Sequence, residues 1–520
     1  MILLIKAPEH LRMLTLFARI NRLISRFVFI HHKSLPKLKA CTRGITMNMA
    51  TDPAKISPLT ELLQRQRASY LAAPNPDYAI RKERLTRLKA ALLKFQQPLV
   101  EALSQDYGHR SVDDSLISDI MPVVNNLNYS LKNLKKWLKP SRRHAGILLA
   151  PAQVKVHYQP LGVIGIIVPW NFPVMLSIGP LVTAIAAGNH AMLKLSEFTP
   201  ATNSVIKQLL AEVFEESHVA VVEGEADVAA QFSALPFDHL LFTGSTTVGR
   251  HVMRAAANNL TPVTLELGGK SPVIIAPDMP LEIAVERMIY GKCLNAGQIC
   301  VAPDYVLCPK AKVAEFIQAY QAKFQAMYGA ITHNKDYGSI INARQFERLL
   351  TVLEDAKAKG AKVIPASNDV IDSQHRKLAT QLITDTTEDM LLMQEEIFGP
   401  LLPVIGYDSL DEAISYVNHR ARPLALYVMS FDEASQQKIL KQTHSGGVCI
   451  NETVFHVAAD DAPFGGIGPS GMGHYHGKEG FLTFSHAKTV LSRGRFNTGK
   501  FVHPPYGTFI QRMLMKLFLR

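Results

Sequence analysis

An α/β fold with two doubly wound parallel sheets and a small extra β element is what this 520-residue sequence predicts. Three observations predict it. From Gly162 to about Gly269, short apolar runs alternate with helical stretches. The same rhythm returns from Ser271 to about Ile450. Ahead of both, Val154-Lys155-Val156-His157-Tyr158 alternates apolar and polar residues, the period of an exposed strand. Strand–helix alternation signals parallel sheets because parallel strands need a crossover, usually a helix, between them.

The elements follow in chain order. From Thr60 to about Lys139, apolar residues such as Leu85, Leu88, Ala91, Leu92 and Phe95 recur every three or four positions, so this part is helical. Residues 141–162 hold the alternating strand, expected in an exposed hairpin. Val163–Val168 reads as a buried strand and Met175–Ala187 as a helix of small apolar residues. Ala191–Leu195, Val219–Glu223, His239–Phe242 and Val263–Leu267 read as further strands with helical segments between them. In the second rhythm, helices are expected near Leu281–Leu294, Lys312–Met327 and Ala343–Lys359.

Composition excludes several function classes. With 47% hydrophobic and 19% charged residues, the composition is that of an ordinary globular protein. Its net charge of +12 is concentrated: residues 1–48 carry nine Lys/Arg against the single acid Glu9. The rest is nearly neutral, so no nucleic-acid partner is expected. Within residues 1–48, Arg12, Arg19, Arg22 and Arg26 lie among Leu11, Leu14, Phe17, Ile20 and Leu23, a basic amphipathic helix pattern. Membrane contact is expected only through this extension. The competing reading starts translation at Met47 or Met49. No run of 18 apolar residues predicts a transmembrane helix. Five cysteines without a Cys-x-x-Cys pair suggest neither a disulfide framework nor a metal site, and a reducing, cytoplasmic compartment.

Three motifs carry chemistry. Phe242-Thr243-Gly244-Ser245-Thr246-Thr247-Val248-Gly249 follows a strand and opens a helix, where free N–H groups favour an anion. Its Gly-x-x-x-x-Gly spacing is neither a dinucleotide fingerprint nor a P-loop, so a plain strand–helix turn is an equal reading. Cys300 ends Asn295-Ala296-Gly297-Gln298-Ile299-Cys300 amid small residues, and as a catalytic thiol it would need access and a depressed pKa. Cys293, Cys308 and Cys449 have apolar neighbours and read as packing residues. Glu266, in Leu265-Glu266-Leu267-Gly268-Gly269-Lys270, stands at a strand's carboxyl end, the place for a general base. The alternative is a strand-end acid facing water or paired with Lys270.

Together these segments are more specific. With Pro169-Trp170-Asn171-Phe172-Pro173, Lys194-Leu195-Ser196-Glu197 and Glu396-Ile397-Phe398-Gly399-Pro400, they resemble the aldehyde dehydrogenase superfamily over about residues 55–490. Pro463-Phe464-Gly465-Gly466-Ile467-Gly468-Pro469-Ser470-Gly471-Met472-Gly473 and Tyr475-His476-Gly477-Lys478 resemble its class 3 branch, and the bacterial coniferyl aldehyde dehydrogenases most. Lys194-Leu195-Ser196-Glu197 departs from the branch's commoner Lys-Pro-Ser-Glu.

The resemblance implies an aldehyde dehydrogenase-like fold and NAD(P)-dependent oxidation of an aldehyde to the acid through a cysteine thioester. It makes Cys300 the nucleophile, Asn171 an oxyanion donor with the Cys300 main-chain N–H, and Glu266 the base for water. Gly244, Ser245 and Gly249 would border the pyrophosphate, Lys194 and Glu197 the adenosine ribose, and Glu396 the nicotinamide ribose. Glu197 favours NAD, with NADP as the alternative. An aromatic aldehyde leads as substrate and an aliphatic one follows. Phe464 would contact the substrate. The implied organisation is an extension over 1–48, a nucleotide domain over 49–140 and 162–266, and a catalytic domain over 267–450. An oligomerisation element over 141–161 and 480–520 would form a homodimer. Rival readings are a CoA-acylating dehydrogenase, against which Glu266 argues, and a non-catalytic protein of the same fold.

Overall fold

The computed structural model describes residues 57–146, 149–368, 371–495 and 497–519. The amphipathic pattern of residues 1–48, and Cys41 with it, lies outside them.

The chain enters through a helical layer. Pro58–Ala72 begins where Ser57 caps the Thr60 N–H and proline occupies the first turn. Tyr78–Lys94 begins where the Asp77 side chain accepts from the Ile80 N–H. Gln96–Tyr107 and Met121–Trp137 complete the layer. Their periodic leucines, Leu85, Leu88, Leu92, Leu99, Leu103, Leu127 and Leu134, are buried in the main core. The Gln66 side chain also ties this layer to the first sheet, donating to the Ala191 carbonyl at 2.8 Å.

That first sheet has six strands, in the order Gly471–Met472, Val263–Glu266, His239–Thr243, Val163–Ile167, His190–Lys194, Val219–Val222. The five strands from residues 163–266 are parallel, and each lies within one residue of its predicted span. Gly471–Met472 joins antiparallel, with Gly471 opposite Glu266. The sequence reading assigned no domain to residues 451–479; the structure returns this stretch to the edge of the nucleotide-type sheet.

The helix Met175–Ala187 is buried at every position except Leu176, which is why its residues are small or purely apolar. Its first turn has no partner in its own helix, and Asp119 supplies one: Oδ1 accepts from the Val174 and Met175 N–H groups at 3.1 and 2.9 Å.

The second sheet has seven strands, ordered Lys362–Pro365, Gln381–Thr384, Leu401–Tyr407, Tyr305–Pro309, Pro272–Ile275, Ala425–Met429, Gly447–Ile450. All neighbours are parallel except the first pair. The helices Leu281–Cys293, Val313–Tyr328 and Ala343–Ala358 fall where periodicity put them.

The alternating stretch lies in the strand Gln153–Pro160, at the centre of a three-stranded antiparallel sheet between Ser141–Arg143 and Ser485–Ser492. It pairs with Ser485–Ser492 along its whole length. The expected hairpin is therefore completed by a distant strand, which leaves His486–Ser492 exposed at an edge. Among the described residues no helix is long and apolar enough to cross a membrane.

Candidate active site

In the six-stranded sheet the order of strands reverses between Val163–Ile167 and His239–Thr243. Loops at the carboxyl ends of such strands part and leave a crevice. Here a cavity of ≈ 590 Å³ opens, lined by Trp170 and Asn171 after the first strand and by Gly244 and Ser245 after the second. Glu266, Cys300, Arg348 and Glu396 complete its walls. Ser245 caps the helix Thr246–Ala257, its side chain accepting from the Val248 N–H, so the anion-favouring end of that helix faces the crevice.

A second cavity of ≈ 190 Å³ is lined almost wholly by apolar side chains, among them Phe172, Met175, Leu176, Phe455, Phe464 and Tyr475. Cys300 lines it too. The thiol stands where an apolar pocket meets a nucleotide-type crevice, so one sulfur can touch a substrate on one side and face a cofactor on the other.

Cys300 follows an over-wound turn. Asn295 and Ala296 hold φ of +48° and +50°, and Gly297 +75°. Left-handed backbone at a non-glycine residue costs about 1–3 kcal/mol and persists only where neighbours enforce it. Here they do: the Gln298 side chain donates to the Asn295 and Ser339 carbonyls at 2.9 and 3.1 Å and accepts from the Ile341 N–H at 3.0 Å. A Cβ on Gly297 would stand 2.6 Å from the Gly399 carbonyl oxygen.

The Asn171 amide is tethered to the same turn. Its Nδ2 donates to the Gln298 carbonyl at 3.2 Å. Its own carbonyl accepts from Tyr107 Oη at 3.0 Å, Arg110 Nη1 at 3.1 Å and Asn295 Nδ2 at 3.1 Å. Arg110 is fully buried, pairs with Asp119 at 2.9 Å and lies over the rings of Tyr107 and Phe172. Three donors therefore fix the backbone that presents the amide.

The sequence left open whether the Cys300 pKa is depressed, as a catalytic thiol requires. In this structure burial pushes it up to about 12, helped by the nearby Glu396 and Glu266 carboxyls. Glu266 is 4% exposed, both its oxygens lack a partner, and burial raises its pKa well above the carboxylate range. Desolvation disfavours the charged form of both groups, while at the thiol the Cys300 and Val301 main-chain N–H groups act in the opposite direction.

The proposed pairing of Glu266 with Lys270 does not occur. Lys270 is hydrogen-bonded to Asp304 and also donates to the Leu392 and Glu395 carbonyls at 2.6 and 3.0 Å. Asp304 accepts from the Ile397 N–H at 2.9 Å, and Arg348 donates to the Ile397 carbonyl at 2.7 Å. These groups hold the loop that carries Glu396. Burial raises that carboxyl to about 8, and its Oε1 is buried without a partner.

The remaining expected cofactor residues fall less centrally. Lys194 ends the strand His190–Lys194, is 2% exposed and donates to Glu197 at 3.2 Å. Neither it nor Glu197 belongs to the cavity wall. A Cβ on Gly249 would meet the Leu267 side chain at 2.7 Å, so its smallness serves helix–sheet packing. Cys308 is a buried packing thiol; buried Cys293 has the polar neighbours Tyr320 Oη at 3.8 Å and Thr380 Oγ1 at 3.7 Å, and Cys449 has His456 Nδ1 at 3.1 Å.

A dinucleotide fits this crevice on the structure's own terms. Gly244 and Ser245 leave the helix end open, and the orphaned Glu396 oxygen offers an acceptor to a diol. A Cβ on Gly268 would lie 2.2 Å from both Glu396 oxygens, so glycine there makes room for that carboxyl. Sequence reasoning missed Tyr107, Arg110, Asn295 and Arg348. Tyr107 and Arg110 sit at a helix end and beyond it, where periodicity carries no chemical signal; Asn295 lay inside a quoted motif and could have been found there.

Comparison with known proteins agrees with this geometry. A family model for the aldehyde dehydrogenase family matches residues 64–490. The chain is 55% identical over 466 residues to a probable coniferyl aldehyde dehydrogenase of Pseudomonas aeruginosa, covering 90% of this chain and 97% of that protein. It is 45% identical over 469 residues to a coniferyl aldehyde dehydrogenase of a Pseudomonas species, covering 89% and 97%. Among solved structures, substrate-bound AldH of Staphylococcus aureus matches with a TM-score of 0.85 at 37% identity, covering 89% of this chain and 100% of that one. Betaine aldehyde dehydrogenase of the same organism, in complex with NAD+, matches with a TM-score of 0.76 at 26% identity, covering 84% and 88%.

Proposed function

The chain belongs to the aldehyde dehydrogenase family, and from that premise we propose that it oxidises aromatic aldehydes of the coniferyl type to their acids, with NAD preferred over NADP. One observation carries the reading: Cys300 is shared by an apolar pocket and a nucleotide-type crevice.

In this reading Cys300, its thiol proton released to solvent, adds through sulfur to the aldehyde carbon, forming a C–S bond and opening the C=O bond to an alkoxide. The Asn171 amide and the Cys300 main-chain N–H meet that oxygen, and losing one such donor costs about 3 kcal/mol of barrier. Return of the alkoxide electrons to C=O breaks the former aldehyde C–H bond and leaves a thioester on Cys300; the nicotinamide cofactor, when bound, would supply the acceptor for the departing hydride. Glu266 then takes a proton from water, and the hydroxide breaks the C–S bond of the thioester. Atoms balance as aldehyde plus water plus oxidised cofactor giving acid, reduced cofactor and a proton. Burial raises the Glu266 pKa above the ordinary carboxylate value, which makes its carboxylate a stronger base.

Gly244 and Ser245 would hold the pyrophosphate, and Glu396 the nicotinamide ribose. Lys194 and Glu197 would reach the adenosine ribose, where the Glu197 carboxylate repels a 2′-phosphate. The exposed edge strand Ser485–Ser492 supports pairing with a second copy as a homodimer.

Absorbance of the reduced cofactor, followed with coniferyl aldehyde, benzaldehyde and hexanal and with NAD and NADP in turn, tests the proposal. The highest kcat/KM is expected for coniferyl aldehyde with NAD; a preference for hexanal would overturn the aromatic assignment.

A further inference from the structure

The mechanism uses no polar group of the apolar pocket except Cys300, yet the pocket contains several. Asp460 and Asn125 line it, and so does Tyr290. Tyr290 Oη is buried without a partner, although a buried hydroxyl normally has one. Asp460 is half-buried, and its one side-chain partner is Asn126 Nδ2 at 3.5 Å, the limit of a hydrogen bond. Burial pushes its carboxyl pKa upward, as expected for an acid short of donors.

The walls between these groups are flat. Tyr290 and Phe455 stack at 6.0 Å with 20° between their planes, and Phe172, Phe464 and Tyr475 add further rings. Ile117, Met121 and Phe455, all in the same lining, are also among the exposed large apolar residues, so the pocket reaches the surface through an apolar rim. A purely aliphatic aldehyde would leave Tyr290 Oη and Asp460 unsatisfied. A planar ring bearing a hydroxyl would offer Asp460 a donor, and an ether or hydroxyl oxygen would accept from Tyr290.

We propose that Asp460 and Tyr290 are specificity-determining residues that select aromatic aldehydes carrying ring oxygen substituents, with Asp460 accepting a hydrogen bond from a ring hydroxyl and Tyr290 donating to a ring oxygen. This rests on the aromatic reading of the same site. Discrimination arises because a bound substrate that lacks the hydroxyl covers the half-buried Asp460 carboxyl without giving it a donor, an asymmetry that outweighs what one methylene in an apolar pocket can contribute.

The test measures kcat/KM for 4-hydroxycinnamaldehyde, 4-methoxycinnamaldehyde and cinnamaldehyde. The hydroxylated substrate is expected to lead cinnamaldehyde by roughly 10- to 100-fold, as for a hydrogen bond to a charged group. In Asp460→Leu that ratio should fall at least fivefold. Tyr290→Phe keeps the ring that stacks on Phe455 and removes only the hydroxyl, and it should lower the ratio of 4-methoxycinnamaldehyde to cinnamaldehyde. Equal kcat/KM across the three substrates in the parent enzyme would overturn the proposal while leaving the aromatic assignment intact. An unchanged ratio in a folded Asp460→Leu would overturn it equally. Turnover of hexanal with none of the three cinnamaldehydes would instead overturn the aromatic reading on which it rests.

Discussion

The two cavities that meet at Cys300 are built by different means. The crevice is assembled from short segments, several at the carboxyl ends of strands: 169–171, 243–247, 266–268 and 394–398. Its walls carry glycines, a helix end and buried carboxyls without partners. The pocket draws on 117–125, 172–176, 290–301 and 454–475, mostly apolar side chains. The crevice must fit one constant molecule, so backbone approach and single atoms matter there. The pocket needs only a shape and a few polar contacts, which many side-chain combinations can supply.

The largest effect should come from removing the point the cavities share. Cys300→Ala should abolish reduced-cofactor formation and the acyl-enzyme while cofactor binding, followed by fluorescence titration, persists. Normal turnover would break the link between the two cavities. A smaller loss is expected on the crevice side alone. Glu266→Gln should slow thioester hydrolysis by about 10²–10⁴-fold and hydride transfer much less, so that rapid-quench kinetics show a burst followed by a slow steady state. An unchanged steady-state rate would remove Glu266 from the role of base.

The smallest effect sharpens the electrostatic side of the comparison. With the Cys300 thiol pushed up to about 12, the thiolate fraction at any lower pH is small and grows as protons are withdrawn. Alkylation of Cys300 by iodoacetamide in the ligand-free protein should therefore speed up about tenfold per pH unit between pH 7 and 10, without a plateau. Adding NAD+ should raise the rate at fixed pH, because a cationic ring near the sulfur favours its anion. A plateau near pH 8 without cofactor would show that the free protein already activates the thiol.

The motif residues were legible in the sequence because their chemistry limits what can stand there. Gly244, Glu266, Cys300 and Glu396 all line the crevice. The strands from 163–266 were legible because parallel strands buried on both faces read as unbroken apolar runs between helices. At Gly249 the need for glycine was legible but not its reason, because tight helix packing and phosphate approach both demand glycine and spacing does not separate them. Arg110 went unnoticed because its partners, Asp119, Ser118 and the Asn171 carbonyl, are brought to it by the fold.

Taken alone, the sequence determined the two α/β rhythms and the family, since periodicity and short motifs are local properties of the chain. Only the tertiary structure decided that Cys300 is shared by two cavities, that Lys270 serves Asp304 rather than Glu266, and that burial pushes the Cys300 thiol and the Glu266 carboxyl upward in pKa. Burial and pairing depend on which distant segments exclude water from a group, and no local pattern records that.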